Sequence, residues 1–147
     1  MRYWDASALV ALLVRQESSA AMLTLLQHDP TIVTWWGSEV ECYSAVMRLA
    51  RDGMLDHAGA QAAEERLRQL RSSWHEVLPT ETCRNQAKRM LRVHPLRAAD
   101  ALQLAAALVA ADHDPSRMQV VSLDQRLNDA FYREGFLLVT GMKGSEQ

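Results

Sequence analysis

The sequence predicts a three-layer α/β fold, in which a mostly parallel β-sheet is flanked by helices on both faces. Short apolar runs alternate along the chain with amphipathic or wholly apolar segments of helical length. Two of these apolar runs end in an aspartate, Asp5 and Asp124, and a helical segment follows each at once. Strands that are buried on both faces of a parallel sheet read as continuous apolar runs, and the pattern is typical of such strands.

Composition indicates an ordinary globular protein, because 48% of the 147 residues are hydrophobic and 23% are charged. We expect one domain over residues 1–139 and a loose tail over residues 140–147. The net charge of -2 does not indicate a nucleic-acid partner, so such a partner would require a local basic patch. No apolar run is long enough to span a bilayer, no signal peptide is recognisable and the two cysteines lack metal-type spacing. We therefore expect a soluble, cytoplasmic protein with no membrane partner.

The first strand is expected to end at Asp5, and a helix capped by Ser7 is expected to follow it. An acid at the carboxyl end of a parallel strand faces the crevice in which open α/β sheets bind ligands. A divalent cation is the usual partner of an acid in that position. Asp5 could instead merely help to cap the helix, and its position alone leaves both interpretations open.

The remaining elements repeat this alternation, and their ends are indicated by prolines, glycines and clusters of loop residues. The further strands expected are Thr31–Thr34, a weaker His75–Leu78, Met118–Leu123 and Phe136–Val139. The helices expected are Ser7–Gln27 with a break near Gln16–Ser18, Ser38–Asp52, Leu55–Trp74, Thr80–Val93, Arg97–Asp112 and Gln125–Arg133. The five histidines are scattered, mostly at helix ends and in loops, and are interpreted as surface residues.

Two further acids lie in the first turns of predicted helices, and each has a structural explanation. Glu41 has capping-box spacing from Ser38, so its side chain could simply reach back to the Ser38 amide. Asp100 is favoured at a helix N-terminus by the helix dipole. The residues that follow Asp100 are almost all alanine and leucine, which predicts a helix packed on every side.

Taken together, the four acids indicate a metal site. Strand ends and the first turns of the following helices lie at the same edge of a parallel sheet, where Asp5, Glu41, Asp100 and Asp124 would converge. Four carboxylates in one place repel one another unless a cation lies between them or protons are shared. Ligation by oxygen alone suits Mg²⁺ or Mn²⁺. The chain contains neither a phosphate-binding loop nor a dinucleotide fingerprint.

Four segments carry a resemblance to a known family: DASALV at 5–10, ECYSAVMR at 41–48, LRAADALQLAAA at 96–107 and VSLDQRL at 121–127. Their residues and order resemble the PIN-domain ribonucleases and, more narrowly, the VapC-type toxins of bacterial toxin–antitoxin pairs. Any one segment is weak evidence, but four in the correct order in a chain of this length are strong. The resemblance extends over residues 1–139.

The resemblance implies a Rossmann-like sheet and an endoribonuclease that depends on Mg²⁺ or Mn²⁺. The acidic quartet of the family falls on Asp5, Glu41, Asp100 and Asp124, with Ser7 as a hydroxyl near the metal water. Glu39 competes with Glu41 for the second place, but residues two apart on a helix face about 200° apart, so both cannot point into one site. The spacing of the family to Ala45 and Arg48 matches when it is counted from Glu41.

An acidic site that holds a polyanion needs positive charge nearby. The basic residues expected to contact RNA are Arg48, Lys88, Arg89, Arg92 and Arg97. The family also implies a homodimer and a groove for a hydrophobic segment of a cognate antitoxin. Helices 7–27 and 38–52 agree with this expectation, because they are more apolar than a free surface tolerates. Two alternatives stay open: a catalytically decayed PIN-fold binding module, and a metal-dependent nuclease acting on structured DNA.

Overall fold

A parallel β-sheet forms the centre of the molecule in the computed structural model, which describes residues 1–139. The strands are β1 (Arg2–Trp4), β2 (Ile32–Trp35), β3 (His75–Val77), β4 (Gln119–Val121) and β5 (Leu137–Leu138). They pair in the order β3-β2-β1-β4-β5, and each of the four pairings is parallel. The tail expected over residues 140–147 lies outside the described residues.

Helices cover both faces of this sheet, as the sequence predicts. They are α1 (Ala6–Leu13), α2 (Ser19–His28), α3 (Ser38–Arg51), α4 (His57–Ser73), α5 (Glu81–Val93), α6 (Ala98–Ala110) and α7 (Gln125–Glu134). A single 3₁₀ turn, Pro115–Arg117, precedes β4 in the described part of the chain. The predicted α/β class is therefore confirmed.

Alternate residues of each strand point to opposite faces of the sheet and define the three layers. Tyr3 and Val120 belong to a core formed with α5, α6 and α7. Trp4 and Val121 belong to a second core, formed with α1, α2, α3 and α4. Both faces are thus buried, which explains why the strands read as unbroken apolar runs rather than as an alternation of apolar and polar residues.

The apolar composition of the first two predicted helices has different consequences in the structure. Six of the eight residues of α1 are buried, so its apolar side chains are used in the core. By contrast α3 buries only Ser38, Cys42 and Val46 and leaves Val40 68% and Tyr43 44% exposed. More of the apolar surface is therefore exposed on α3 than on α1.

Several predicted boundaries differ from the observed ones because local patterns do not specify where strand pairing stops. Trp35 belongs to β2 and packs in the core, one residue beyond the predicted end of that strand at Thr34. The fourth strand is Gln119–Val121, shorter than the Met118–Leu123 expected. The weak strand candidate near His75 is present and pairs with β2. Among the described helices, none has both the length and the apolar character needed to cross a membrane.

His94 contradicts the interpretation of the histidines as surface residues. It lies at the C-terminal end of α5, it is buried, and its Nε2 lies 2.6 Å from Oε2 of Glu134 on α7. A buried imidazole requires a polar partner, and Glu134 supplies one from 40 residues away. Because that partner is distant in sequence, the local composition around His94 does not reveal its burial.

Candidate functional site

Asp5 lies between the end of β1 and the start of α1, where it is only 3% exposed. It is the N-cap of α1 and accepts a hydrogen bond from the Ala8 amide at 3.1 Å, so the prediction that Ser7 caps this helix is wrong. The Ser7 hydroxyl instead donates to the Asp5 carboxylate, 2.7 Å from Oδ1. The Ser122 hydroxyl donates to Oδ2 at 2.9 Å.

Burial dominates the electrostatics of Asp5. Loss of water around the carboxylate raises its pKa, and the hydrogen bonds from Ser7, Ala8 and Ser122 lower it. The first effect is larger, so the pKa is raised to about 6. The charge of Asp124 raises the pKa further. Several hydrogen-bond donors thus hold the carboxylate in place. None of the groups that shift its pKa carries a positive charge.

Asp124 lies in the corresponding position after β4, where it is partly exposed and caps α7 by accepting the Leu127 amide at 3.1 Å. Its own amide donates to Oγ of Ser122 at 3.1 Å. Ser122 therefore connects the two strand-terminal acids through its hydroxyl group. It is not among the residues predicted from the sequence. A hydroxyl two residues away from each strand-terminal acid, Ser7 after Asp5 and Ser122 before Asp124, is the pattern that would have revealed it.

Glu41 lies in the first turn of α3, and it does not form the capping box that its spacing allows. Gly37 is the N-cap of α3, and Glu41 instead accepts a hydrogen bond at 3.1 Å from Nε2 of Gln103 on α6. Burial raises the pKa of Glu41 to about 7, the Gln103 bond opposes this, and the charges of Asp5 and Asp100 add to it.

Glu39, the alternative to Glu41 as the second acid of the quartet, has different neighbours. Its Oε1 lies 3.3 Å from Nε of Arg71 on α4, and the same guanidinium lies 3.3 Å from Oε2 of Glu76. The two side chains, two residues apart on α3, therefore point in different directions. Glu39 points toward α4 and β3, and Glu41 points toward α6.

Asp100, the third residue of α6, is half-buried at the same edge. Burial raises its pKa, and the charge of Asp124 does so as well. The nearby cations Arg97 and Arg126 lower it. Arg97 is one of the basic residues expected near the site, but Arg126 is not among the candidates. It lies two positions after Asp124, on the first turn of α7.

The structure brings the four predicted acids to one edge of the sheet, where their charges act on one another in pairs. Glu41 is affected by Asp5 and Asp100, and Asp124 affects both Asp5 and Asp100. Within residues 1–139, no three acidic, histidine or cysteine side chains are already arranged as a metal cluster. The donor chemistry nevertheless fits a hard cation such as Mg²⁺, which accepts one or two carboxylates and retains several waters.

A groove leads away from this edge between α1 and α3. Its lining residues are Ala6, Ser7, Val10, Val40, Glu41, Ser44, Ala45 and Arg48. Seven residues separate Glu41 from Arg48, which places the guanidinium-bearing residue about two helical turns from the acid. The groove thus connects the acidic edge with a basic side chain.

The other basic candidates belong to α5, which packs on the opposite face of the sheet from α3, and to the residue before α6. Lys88, Arg89 and Arg92 are exposed on α5, whose inner side buries Cys83 and Met90. Arg97, which is also exposed, precedes α6 by one residue. None of these four cations, nor Arg48, has a carboxylate partner within ion-pair distance in residues 1–139, whereas Arg84 pairs with Glu81 at 3.2 Å.

Solved structures with the same fold are found among proteins that are distant in sequence. One is a toxin–antitoxin complex from Klebsiella pneumoniae, with 16% identity, a TM-score of 0.61, and coverage of 96% of this chain and 98% of that one. Another is FitAcB from Neisseria gonorrhoeae, with 15% identity, a TM-score of 0.68, and coverage of 97% and 99%. At these identities the likeness concerns the fold alone.

Family membership is shown by the sequence match. No curated protein is matched by this chain. The family model of the PIN domain matches residues 2–131, a range that includes each of the four acids and nearly the whole described chain. The resemblance drawn from the four sequence segments is thereby confirmed, and the chain belongs to the PIN domain family.

Proposed function

We propose that this PIN domain is an endoribonuclease that depends on Mg²⁺ or Mn²⁺ and acts as the toxin of a toxin–antitoxin pair. The observation that carries the proposal is the group of four acids at the carboxyl edge of the sheet, three of which, Asp5, Glu41 and Asp100, have pKa values raised by burial and by the charge of a neighbouring acid. Unfavourable burial of carboxylates without a compensating charge is typical of a site that binds a cation. PIN domains are generally nucleases, which supports hydrolysis as the reaction class.

Asp5, Glu41, Asp100 and Asp124 are the residues that would hold the cation. When bound, a hard divalent cation polarises a phosphodiester and lowers the pKa of a water molecule, and both effects favour hydrolysis. Ser7 and Ser122 keep the Asp5 carboxylate in place through their hydroxyl groups. The Ser7 oxygen also accepts the Leu123 amide at 2.8 Å, which ties the loop after β4 to the start of α1.

Positive charge on both sides of the acids supports a polyanionic substrate. Arg97 and Arg126 lie close enough to Asp100 to lower its pKa, so they are also suited to bind a phosphate beside the acids. Lys88, Arg89 and Arg92 extend this positive charge along α5, and Arg48 supplies it in the groove on the other side. A single-stranded RNA crossing the acidic edge would contact basic residues before and after it.

The partners proposed are a cognate antitoxin and a second copy of the chain. One structural neighbour is a toxin–antitoxin complex, and this supports an antitoxin partner. An apolar groove beside α1 and α2 includes Leu12 and Leu23 and has Arg15 and Arg66 among its lining residues, so it suits an apolar segment that also carries acids. The exposed Val40 and Tyr43 on α3 suit a homodimer interface.

The proposal is tested by cleavage of end-labelled single-stranded RNA and of DNA with the same sequence, with Mg²⁺, with Mn²⁺ or with EDTA. We expect the RNA to be cleaved only with a divalent cation and the DNA to stay intact. Glu41→Gln should reduce the rate by a factor on the order of 100 or more, because the side chain keeps its size but loses its charge. Glu39→Gln is the matched control, since Glu39 pairs with Arg71.

The alternative functions predict different outcomes of the same experiment. Cleavage of structured DNA with RNA left intact would support the DNA nuclease. RNA that is bound but not cleaved with either cation would support a decayed binding module. Equal losses in Glu41→Gln and Glu39→Gln would show that the assignment of Glu41 to the site is wrong.

A further inference from the structure

A chain of buried hydrogen bonds runs from the centre of the sheet to Glu41. The Tyr3 hydroxyl donates to Oε1 of Gln103 at 2.5 Å, and Nε2 of Gln103 donates to Ser38 at 3.0 Å and to Glu41 at 3.1 Å. Oγ of Ser38 lies 2.6 Å from Oγ1 of Thr34, which donates to the carbonyl of Trp4 at 2.7 Å. Tyr3, Gln103, Ser38 and Thr34 are all buried.

The donors and acceptors of this chain can be assigned without ambiguity. Thr34 uses its only hydroxyl proton toward the carbonyl oxygen of Trp4, so Ser38 must donate to Thr34. With its own proton used, the Ser38 oxygen can only accept from Gln103. Each hydroxyl therefore donates once, and the amide nitrogen of Gln103 supplies one proton to Ser38 and the other to Glu41.

Tyr3 determines which way the Gln103 amide faces. The Tyr3 hydroxyl has a single proton, which it donates to the Gln103 carbonyl oxygen. With Glu41 ionised, as it must be to ligate a cation, a flipped amide would direct that carbonyl oxygen at both the Glu41 carboxylate and the Ser38 oxygen, neither of which would have a proton to offer. The amide nitrogen consequently faces Glu41.

Packing alone does not account for a glutamine at this position. Gln103 is 2% exposed, and its neighbours along α6 are almost all alanine and leucine. A buried amide is unfavourable unless its hydrogen bonds are made, and an apolar residue of similar volume would fill the space without that requirement. Asp100 precedes Gln103 by three residues, so one face of α6 carries an acid of the site and a donor to a second acid.

We propose that Gln103 is a positioning residue, which holds Oε2 of Glu41 and thereby leaves Oε1 directed at the cation site between Glu41, Asp5 and Asp100. Oε1 of Glu41 has no hydrogen-bond partner in the described part of the chain. Hydrogen bonds from neighbouring residues commonly orient the carboxylates that ligate metals. This assignment rests on the proposed metal-dependent function and extends it to a residue that touches neither the cation nor the RNA.

The test compares Mn²⁺ affinity, measured by electron paramagnetic resonance of the free ion, in the wild type and three variants. Gln103→Met keeps the volume but removes the amide, and Tyr3→Phe removes only the hydroxyl that orients it. Phe131→Leu is the control, because the Phe131 ring packs edge-on against Tyr3 at a centroid distance of 6.3 Å and has no part in the hydrogen bonds. Circular dichroism and thermal melting report whether each variant is folded.

We expect Gln103→Met to weaken Mn²⁺ binding by about 10–100-fold. Tyr3→Phe should shift the affinity in the same direction by less, and Phe131→Leu should lower the melting temperature with the affinity unchanged. In cleavage assays over a range of RNA concentrations, Gln103→Met should lower kcat and leave KM for RNA near the wild-type value, since no RNA contact is removed.

Wild-type Mn²⁺ affinity in both Gln103→Met and Tyr3→Phe would overturn the assignment of Gln103 and leave the proposed function standing. An equal loss of affinity in Phe131→Leu would also overturn it, because general loosening of the core would then explain the effect. If Gln103→Met does not fold, Tyr3→Phe decides. A wild-type chain that binds no Mn²⁺ would overturn the proposed function and this inference together.

Discussion

At the scale of single residues, Asp5 and Asp124 have structural roles that are compatible with the proposed metal site. Asp5 caps α1 through the Ala8 amide, and it also receives hydroxyl protons from Ser7 and Ser122 at a place where burial raises its pKa. Asp124 caps α7 in the same manner. The structural and the metal-binding interpretations of these acids therefore do not exclude each other, because a carboxylate has two oxygens with several lone pairs.

Asp5 and Glu41 should make the stability of the metal-free protein depend on pH. Their pKa values in the folded protein, about 6 and about 7, lie above the ordinary values of 3.8 and 4.5. The folded state then binds more protons than the unfolded state between these limits, so stability is fully present below about pH 4 and falls as the pH rises to about 7. Urea unfolding in EDTA should give a free energy of unfolding lower at pH 8 than at pH 5.

Glu41→Gln is the variant that checks this assignment. Without the ionisable group, we expect the difference in unfolding free energy between pH 5 and pH 8 to shrink by roughly 1–3 kcal/mol. The exposed pair of Glu39 and Arg71 gives a control, because Glu39→Gln should leave the difference as in the wild type. A free energy of unfolding that rises between pH 5 and pH 8 in both the wild type and Glu41→Gln would contradict the proposed origin.

Sequence predicts residue roles only as far as the partners are local. Both Asp and Ser are good N-caps, so the local pattern cannot decide between Asp5 and Ser7. The structure decides, since the Leu123 amide, 116 residues away, donates to Ser7. Glu41 has capping-box spacing, but Gln103, 62 residues away, donates to its carboxylate. The four acids could be predicted because each follows a strand or begins a helix, whereas Gln103, Ser122 and Arg126 act through long-range contacts.

At the scale of elements, periodicity and helix-ending residues predict the order of strands and helices, including the short strand at His75–Val77. Strand ends are less predictable, because pairing with a neighbour determines them: Trp35 extends β2 since it pairs with Val77 of β3. The local sequence pattern is sufficient to predict the orientation of α5. Its inner side is buried and its outer side presents basic residues, as expected for an amphipathic helix.

The basic side of α5 leads to a prediction about RNA binding. The triple substitution of Arg89, Arg92 and Arg97 by Gln should weaken the binding of single-stranded RNA and flatten its salt dependence, since each neutralised phosphate contributes about -0.7 to the log–log slope. Affinity is measured by fluorescence anisotropy at several KCl concentrations with Ca²⁺ to suppress cleavage. The triple variant should still bind Mn²⁺, because it keeps all four acids.

A control with the same change in net charge separates local contacts from general repulsion. Arg15, Arg68 and Arg117 are exposed on other elements, and their substitution by Gln also removes three positive charges. This control should leave the salt slope close to that of the wild type. Equal effects of the two triple variants would show that the RNA does not follow α5.

At the scale of the whole molecule, charge is distributed unevenly. The net charge is only -2, yet the four candidate acids gather at one edge of the sheet, while cations lie on α5 and in the groove by α3. Such a distribution allows an acidic site to approach a polyanion, because neighbouring cations offset the repulsion. The low net charge also means that two copies of the chain repel each other little.

The homodimer is expected to form through α3, where Val40 and Tyr43 are 68% and 44% exposed. Stable dimers bury about 800 Å² per partner around an apolar centre, and lysine at these positions would place charge in that centre. We expect the wild type to have twice the mass of one chain by light scattering, and Val40→Lys/Tyr43→Lys to have the mass of one chain. Tyr132→Lys is the control, since Tyr132 is 72% exposed on α7 and should leave the dimer intact. A wild-type monomer, or a dimer that survives both substitutions on α3, would contradict this interface.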